Sequence, residues 1–327
     1  MRKALLLYNP QSGRSGRRLA AEAGLAADVL RQAGVEATVT ATISATEAAQ
    51  QARDALAQGY DTIFACGGDG TIQDVAQGLI GSDAALGVIP LGTANVLAHD
   101  LGIPLDAAAA ARAALRTIPM RIAIGKLNCC GADGSSIIRY FLSVAGAGLD
   151  AYLFRRLESP VNQSPDTRAF GITAYFWQAF RIWLTCRMEW FSVSFSVSSE
   201  NGSHPQKITQ LLAVRLHNFG NLLRDLAPGA ALGRADLRVV LFSTSSRMAF
   251  LLYVLRGILR TRWSIPGIEA RYATSIRLTP IGTQPVYIEA DGELLGQLPA
   301  EISVVPAALT LLVPPEFASR PGLENLL

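Results

Sequence analysis

The sequence predicts an α/β protein with an N-terminal Rossmann-like, parallel-sheet domain followed by a C-terminal antiparallel β-sandwich domain. Over the first third of the chain, apolar strand-length segments alternate with helix-length segments. In the rest, short β-branched runs separated by turn residues dominate. Half of the 327 residues are hydrophobic and only 17% are charged, which provides a large core and argues against disorder.

The N-terminal domain is predicted from four strands, each followed by a helix. The predicted strands are Ala4–Tyr8, Glu36–Ala41, Thr62–Ala65 and Leu86–Ile89, and the predicted helices are Arg17–Ala33, Ala45–Gln58, Thr71–Ile80 and Ala94–Leu101. This alternation is typical of βαβ units and therefore of a parallel sheet. Ligands bind such sheets beyond the carboxyl ends of the strands, so we expect the functional loops at that edge.

The C-terminal domain is predicted from seven strands and two helices. The strands are Ile137–Val144, Trp190–Ser198, Ile208–Leu216, Leu237–Phe242, Ser275–Leu278, Val286–Glu289 and Ile302–Val305, and the helices are Ile172–Thr185 and Arg247–Arg260. Many short strands with turn signals are typical of a sandwich. We place the domains at residues 1–122 and 123–306, and we expect the tail 307–327, with a further strand Leu309–Val313, to pack back on the first domain.

Composition narrows the class of protein. The net charge of +3 is too small to indicate nucleic-acid binding, although it suits an anionic ligand or a membrane surface. The four cysteines include no C-x-x-C pair and there are only three histidines, so we expect a reduced, cytosolic chain without a zinc site. The N-terminal apolar run, Ala4–Tyr8, is too short for a signal peptide, and no stretch reaches the roughly 18 apolar residues of a membrane span.

The stretch CGGDGTIQDV, Cys66–Val75, places three glycines and an aspartate between a predicted strand and a predicted helix. Bare backbone lets a phosphate approach closely, and a helix N-terminus offers it free N–H groups. Asp69 would repel a phosphate, so it fits only with Mg²⁺ between them or with a substrate hydroxyl beside it. A structural Asp-Gly turn explains the stretch equally well when it is taken alone.

Three further loops have related compositions. YNPQSG, Tyr8–Gly13, follows the first strand, and PLGTANVLAHDLGIP, Pro90–Pro104, follows another. Both lie at the same predicted sheet edge as the glycine stretch. IEADGELLGQLP, Ile288–Pro299, places Asp291 and Glu293 around a glycine, for which a hairpin turn is the simpler interpretation when it is taken alone.

Together and in this order, these four pieces resemble the diacylglycerol kinase catalytic family, which includes soluble bacterial lipid kinases and has sphingosine kinases as relatives. The motifs are N-P-x-S-G at Asn9–Gly13, G-G-D-G-T at Gly67–Thr71, P-L-G-T-x-N at Pro90–Asn95 and D-G-E at Asp291–Glu293. The resemblance covers nearly the whole chain. It implies an ATP-binding first domain similar to those of phosphofructokinases and NAD kinases. It also implies a lipid-binding sandwich, with ATP and Mg²⁺ in the cleft between the two.

The resemblance also implies roles for individual residues. Glu293 is expected to be the general base that takes the proton of the lipid hydroxyl, and Asp69 and Asp291 are expected to organise Mg²⁺ and the phosphates. Phosphoryl transfer depends mainly on such positioning and charge neutralisation. The expected nucleotide contacts are Asn9, Pro10, Gln11, Ser12, Gly13, Thr42, Gly67, Gly68, Asp69, Gly70, Thr71, Ile72, Gln73, Asp74, Thr93 and Asn95.

The chain departs from the family pattern at three places. Gln73 and Asp74 replace the usual Asn-Glu with residues of the same chemical type, whereas Val96 stands where many relatives carry a carboxylate. Bacterial relatives hold a structural Mg²⁺ through an Asp-Gly that corresponds here to Arg234 and Ala235. Arginine cannot ligate a cation, and Asp236 is the only nearby carboxylate, so we expect no structural metal at this place.

We therefore expect an ATP- and Mg²⁺-dependent lipid kinase that is cytoplasmic and contacts membranes transiently. Arg247–Arg262 reads equally well as an interfacial helix with arginines towards anionic headgroups or as a core helix. The aromatic-rich Ile172–Arg187 reads better as core than as a wall for acyl chains. Two alternatives remain: a kinase of a soluble substrate, similar to NAD kinases, and a lipid-binding regulatory protein without turnover. The lipid, the preference for ATP over GTP and the formation of a homodimer stay open.

Overall fold

The structure is a computed structural model that describes residues 1–11, 16–158, 180–181, 183–195, 205–216, 218–219, 223–224, 227–261 and 263–320. Ser12, Gly13 and Arg262 lie outside the described residues, as does most of the predicted helix Ile172–Thr185.

The N-terminal part has the predicted alternation of strands and helices. It contains strands β1 (Lys3–Tyr8), β2 (Glu36–Ala41), β3 (Thr62–Gly67) and β4 (Ala85–Pro90), and helices α1 (Gly16–Gln32), α2 (Ala45–Ala57), α3 (Asp69–Leu79), α4 (Val96–Leu101) and α5 (Ala107–Ala114). The strands are parallel in the order β4-β3-β1-β2. Helix α5 was not predicted, although its alanine run favours a helix and the Asp106 side chain caps it by accepting from Ala109 N–H.

The parallel strands end at the same level of the sheet. Tyr8, near the end of β1, lies opposite Ala41 of β2 and Cys66 of β3, and Gly67 lies opposite Pro90 at the end of β4. The loops that follow these strands therefore emerge side by side, as expected for the ligand-binding edge of such a sheet.

The C-terminal part is largely antiparallel. Its elements are β5 (Ile118–Cys130), β6 (Ser136–Phe141), β7 (Val144–Gly148), α6 (Leu149–Glu158), β8 (Phe191–Phe195), β9 (Gln206–Ile208), β10 (Gln210–Val214), β11 (Asn218–Phe219), β12 (Leu223–Arg224), β13 (Leu237–Phe242), α7 (Arg247–Leu259), β14 (Ile268–Ala273), β15 (Ser275–Pro280), β16 (Tyr287–Ala290), β17 (Glu293–Val313) and α8 (Pro315–Ala318). The predicted fold class, a parallel α/β sheet followed by an antiparallel sandwich, is confirmed.

Strand β17 connects the two parts of the molecule. It pairs antiparallel with β5, β15 and β16. Near its end, Thr310 and Leu311 pair parallel with β4. The two predicted strands Ile302–Val305 and Leu309–Val313 are thus a single strand whose register shifts between Val305 and Leu309. Position 122, where we placed the domain boundary, lies inside β5.

Three hydrophobic clusters form the core. The first joins the parallel sheet, its helices and the end of β17, including Leu309 and Val313. The second fills the sandwich around Phe141 and Phe191, and the third lies between β13 and α7 around Phe242 and Phe250. Because β17 contributes to the first two clusters, the loops at the sheet edge and the D-G-E turn are held on one framework.

Candidate active site

The sheet edge carries the predicted nucleotide-binding residues on four neighbouring loops. Asn9–Gln11 follow β1, Thr42 follows β2, Gly68 follows β3, and Thr93 and Asn95 follow β4. Since the four strands end at one level, these loops form a continuous rim. Residues that are far apart in sequence are brought together here as the motifs predicted.

Two of the glycine loops are in backbone contact. A Cβ atom built on Gly92 would lie 2.3 Å from the Cα atom of Gly68, and one on Gly67 would lie 2.5 Å from Thr71 Oγ1. A side chain at Gly92 would push the two loops apart, and one at Gly67 would displace the Thr71 side chain. Gly70 differs, because a Cβ atom there would meet nothing within 4 Å. The protein itself does not require glycine at Gly70, so its bare backbone leaves open space at the surface where a phosphate oxygen could approach.

Helix α3 begins at Asp69, two residues before the predicted start at Thr71. Asp69 and Gly70 therefore belong to the first helical turn, and Gly68 is the N-cap in extended conformation. The Asp69 carboxylate accepts a bond from Leu97 N–H at 3.4 Å, which links the glycine loop to the start of α4. Burial raises the pKa of Asp69, while the N–H groups of Leu97 and Val96 act in the opposite direction.

The loop after β4 is closed by Asn95. Its side-chain oxygen accepts from Gly92 N–H and its amide donates to Gly92 C=O, both at 3.0 Å. Asn95 has a left-handed backbone with φ of 47° and is buried, so its polar atoms shape the loop, whereas Thr93 is exposed at its tip. Thr42 is also buried, and its N–H bonds to the Tyr8 carbonyl at 2.8 Å.

The predicted contact residues that the structure describes after β1 are at least partly exposed, whereas three of those within α3 are buried. Asn9 Oδ1 accepts from Gln11 N–H at 2.8 Å, a local turn that shapes the loop, and Gln11 is exposed. Within α3, Thr71, Ile72 and Gln73 are buried. The Ile72 side chain belongs to the hydrophobic core, and the Gln73 amide donates to the Tyr140 carbonyl.

Arg139 of β6, which the sequence reading missed, crosses from the glycine-loop helix to the D-G-E turn. Its Nη2 atom lies 3.0 Å from Asp74 Oδ1 and 2.7 Å from Glu293 Oε2. The side chains of Arg139 and Asp74 are 20% and 14% exposed, whereas that of Glu293 is 54% exposed. Burial raises the pKa of Asp74 and the Arg139 charge opposes this rise. A lone arginine in the strand SIIRYF was the only sequence signal for this role.

The Asp291 carboxylate is held by backbone N–H groups. It accepts from Leu142 and Ser143 at 2.8 Å and from Val144 at 2.9 Å, at the turn between β6 and β7. Three of its roughly four lone-pair positions are thereby used. Burial, with the Asp69 charge adding to it, raises the pKa of Asp291 to about 6 against these three donors. One acceptor position remains for a ligand.

Two further carboxyl groups, those of Glu289 and Asp150, support the D-G-E turn from inside the protein, and they were not predicted from the sequence. Glu289 is fully buried, and its Oε2 atom accepts from Gly292 N–H at 2.8 Å. Its Oε1 atom lies against the Asp150 carboxyl and has no other partner in the described chain. Burial raises the pKa of both groups, and the Asp150 charge raises that of Glu289 further. A proton shared between the two carboxyls satisfies this geometry.

The donor set fits a nucleotide-borne Mg²⁺ better than a preformed metal cage. No group of three or more His, Cys, Asp or Glu side chains that could hold a metal exists among the residues the structure describes. The Asp69 charge acts on the Asp291 carboxyl, so the two carboxylates lie near each other. Mg²⁺ is commonly held by one or two carboxylates together with substrate phosphates, which these two could supply.

The segment to which the family resemblance assigns a structural Mg²⁺ does not fit a cation in this chain. The Arg215 guanidinium, fully buried, donates to the carbonyls of Leu232 and Ala123 at 2.7 Å and to those of Arg234 and Asp236 at 3.0 Å. The Arg234 side chain turns away and forms a two-point ion pair with Asp236 at 2.6 and 2.8 Å. A guanidinium thus takes the carbonyl oxygens that a cation would need. Burial lowers the pKa of Arg215 to about 10, so it stays charged at neutral pH.

A cavity of about 380 Å³ lies beside α6 in the sandwich. Its lining joins the start of α6 to the segment around Cys186 and to the strand that leads into the D-G-E turn. Arg155 stacks over the Tyr287 ring at 4.2 Å and makes one wall cationic. None of the described helices is long and apolar enough to cross a membrane.

Comparisons with known proteins agree with the motifs. Residues 3–127 match the family model "Diacylglycerol kinase catalytic domain", and residues 146–313 match "YegS C-terminal NAD kinase beta sandwich-like domain". A diacylglycerol kinase of Bacillus subtilis is 29% identical over 98% of this chain and 99% of its own length. One of Mycobacterium tuberculosis is 27% identical over 95% of each.

Solved structures share the fold at low sequence identity. A diacylglycerol kinase from Bacillus anthracis superposes with a TM-score of 0.68 at 18% identity, covering 96% of this chain and 98% of its own. Yeast NADH kinase complexed with NADH gives 0.50 at 12% identity, covering 96% of this chain and 83% of its own. Because the sandwich model alone spans more than half of the chain and the catalytic-domain model most of its N-terminal part, the chain belongs to the family of diacylglycerol kinases and YegS-like lipid kinases.

Proposed function

We propose that the chain is an ATP- and Mg²⁺-dependent lipid kinase that transfers the γ-phosphate to a hydroxyl group of diacylglycerol or a related lipid. One observation carries the proposal most directly. Arg139 ties Glu293 of the D-G-E turn to Asp74 of the glycine-loop helix, so a partly exposed carboxylate is held above the helix that follows the glycine loop. This contact supports a base for the acceptor hydroxyl close to a loop for the phosphates.

The carboxylates and the arginine have separate roles in the proposed phosphate transfer. The acceptor hydroxyl gives its proton to the Glu293 carboxylate while its oxygen attacks the γ-phosphorus, and ADP is released. Arg139 orients Glu293 and presents a guanidinium beside the developing negative charge. When bound, Mg²⁺ neutralises phosphate charge, and Asp69 together with the free acceptor position of Asp291 would hold it.

Exposed backbone around the glycine loop supports the nucleotide part. Gly70 offers open space at the first turn of α3. The tight contact between Gly68 and Gly92 holds the two neighbouring loops close together. N–H groups in the first turn of a helix favour a phosphate, and the rim of exposed Thr93 and Gln11 would meet the rest of the nucleotide. Ile72, Gln73 and Asn95 act through loop and helix packing, because their side chains are buried.

The test is phosphate transfer from radiolabelled ATP to a panel of lipids in mixed micelles, resolved by chromatography. Label should appear in a lipid that carries a free hydroxyl and should depend on Mg²⁺. Glu293→Ala should lower turnover by roughly 10²–10⁴-fold while nucleotide binding survives, because the base contacts the hydroxyl and not the nucleotide. Glu301→Ala, which removes an exposed carboxylate of the same strand, is the matched control.

Other outcomes would point to the alternatives. Transfer to NAD in the same assay, with no labelled lipid, would indicate a kinase of a soluble substrate. Binding of lipid without transfer to any acceptor would indicate a regulatory protein. Near wild-type turnover of Glu293→Ala would remove Glu293 from the role of base even if the lipid kinase activity stands.

A further inference from the structure

Helix α7 exposes an unusually apolar surface. Seven of its side chains, at 37–59% exposure, face outward: Met248, Leu251, Leu252, Val254, Leu255, Ile258 and Leu259. We call this set the α7 face. Elsewhere in the described chain, exposed large apolar residues occur one or two per element. Single exposed apolar residues are normal, whereas a contiguous patch marks an interaction site.

The buried side of α7 holds the helix firmly in place. Phe250 stacks on Phe242 with ring centroids 4.5 Å apart, and Tyr253 meets the same ring edge-on at 4.9 Å. Ala249 and Gly257 complete the buried stripe. Since residues three and four apart share one side of a helix, the remaining positions must face away from the sheet. The α7 face is therefore a fixed surface.

The charged residues in the segment that carries this surface have one sign. From Ser243 to Ile268 the sequence carries four arginines and no carboxylate, against a net charge of +3 for the whole chain. Arg256 lies over the Tyr253 ring at 5.0 Å and donates to the Trp263 carbonyl at 3.4 Å. Arg260 ends the helix in a left-handed conformation and is exposed, next to the 39% exposed Trp263. The cations and the tryptophan thus gather at one end of the apolar face.

The start of helix α7 also contacts a residue that lines the cavity of the sandwich. Arg247, the first residue of α7, donates to the Cys186 carbonyl at 2.8 Å, and Cys186 lines that cavity. A lipid leaving a bilayer beneath α7 would have a short path to it.

We propose that the α7 face docks the protein onto an anionic lipid bilayer. Its apolar side chains enter the boundary between headgroups and acyl chains, and Arg256, Arg260 and Trp263 lie at the level of the headgroups. This rests on the proposed function in one respect: a kinase of a bilayer lipid needs a way to sit on the bilayer. An apolar face that has no carboxylates and has cations at its rim suits an anionic lipid bilayer, which offers both apolar chains and negative charge. An acidic protein without an apolar surface would match the cations only.

The test is flotation of the protein with vesicles of phosphatidylcholine alone or mixed with phosphatidylglycerol. The variant Leu251→Gln, Leu255→Gln and Ile258→Gln removes three members of the α7 face and keeps helix-forming residues. The matched control is Leu25→Gln, Leu105→Gln and Ile281→Gln, three residues elsewhere that are at least as exposed. We expect at least about tenfold weaker binding of the α7 variant to the mixed vesicles, because apolar area leaves the lipid contact, and wild-type binding of the control.

Arg260→Glu separates the charge contribution. It should weaken binding to the mixed vesicles at low salt and have little effect at high salt, where the attraction is already screened. If the triple variant melts at a lower temperature than wild type, the two single variants Leu255→Gln and Arg260→Glu provide the same comparison in folded protein.

Several results would overturn the proposal. Equal vesicle binding of wild type and the α7 variant, both folded by circular dichroism, would exclude the α7 face. A wild type that binds no vesicles but forms a dimer in light scattering, with the α7 variant monomeric, would show that a second copy covers the face. Vesicle binding without transfer to any lipid would sink the proposed function alone. Transfer to a dispersed short-chain lipid without vesicle binding would sink the docking alone.

Discussion

Replacing Arg215 tests whether a guanidinium does the work of the structural cation in related kinases. Arg215 directly follows β10 and is fully buried. Its guanidinium donates to four carbonyls, three of them in the 232–236 loop. Arg215→Met keeps an unbranched apolar side chain and removes all four donors. The loop would then carry buried carbonyl groups without partners.

The magnitude follows from those carbonyls. Each buried acceptor left without a donor costs about 1–3 kcal/mol; the bonds to Ala123 and Leu232 are buried and those to Arg234 and Asp236 only partly so, which sets a range that starts at about 2 kcal/mol. Removing a buried guanidinium also returns its desolvation penalty, which offsets part of the loss. We therefore expect Arg215→Met to lower the free energy of unfolding by about 2 kcal/mol, at the lower end of the range.

The assay is urea unfolding with thermal melting, in Mg²⁺ or in chelator. Arg277→Met, at an exposed strand position, is the control and should be nearly neutral. Wild type should melt at the same temperature with and without chelator. In the double variant Arg215→Ala with Arg234→Asp, which removes the guanidinium and restores the carboxylate of relatives, melting should become dependent on Mg²⁺. A chelator that lowers the melting temperature of wild type, or an Arg215→Met protein as stable as wild type, would refute the reasoning.

Three further predictions concern the site. Asp69→Asn should lower Mg²⁺-dependent activity much more than the melting temperature; a protein that instead unfolds, with nucleotide affinity intact in the folded remainder, would make Asp69 a turn residue. Glu289→Gln, which still accepts from Gly292 N–H and can donate to Asp150, should keep the KM and kcat that Glu289→Leu loses; equal loss in both would contradict a positioning role. Because burial raises the pKa of Asp291 to about 6, kcat/KM should fall as the pH drops through about 6, since protonation removes the charge that we propose for holding Mg²⁺. An acid limb unchanged in Asp291→Asn would assign that titration to another group.

The fold was largely predictable because its signals are local. Apolar periodicity and turn residues placed β1–β4 and α1–α4 within two or three residues of their observed ends. The misses have physical causes. Helix α3 starts at Asp69 because Gly68 serves as its N-cap, although Gly-Asp-Gly favours a turn in isolation. Strand β17 is continuous through 21 residues because it pairs with strands of both parts, which no local pattern shows.

The loops of the candidate site were predictable for the same reason, since each motif lies directly after a strand. Their side-chain roles were less so. Asn95 and Gln73 belong to the motifs, yet both are buried and bonded inside the protein. Which face of α3 meets the core is decided by packing against the sheet, and motif spacing alone does not show it.

The sequence by itself determined the fold class, the family and the four loops of the candidate site, because strand periodicity, turn chemistry and motif order are properties of short segments. Only the tertiary structure decided the rest. Arg139 reaches Asp74 across 65 positions and Glu293 across 154, and Arg215 reaches Ala123 across 92. In sequence these arginines are single charges in apolar strands. Their roles exist only once the sheet has folded and buried them, because a buried charge is stable only where partners converge on it.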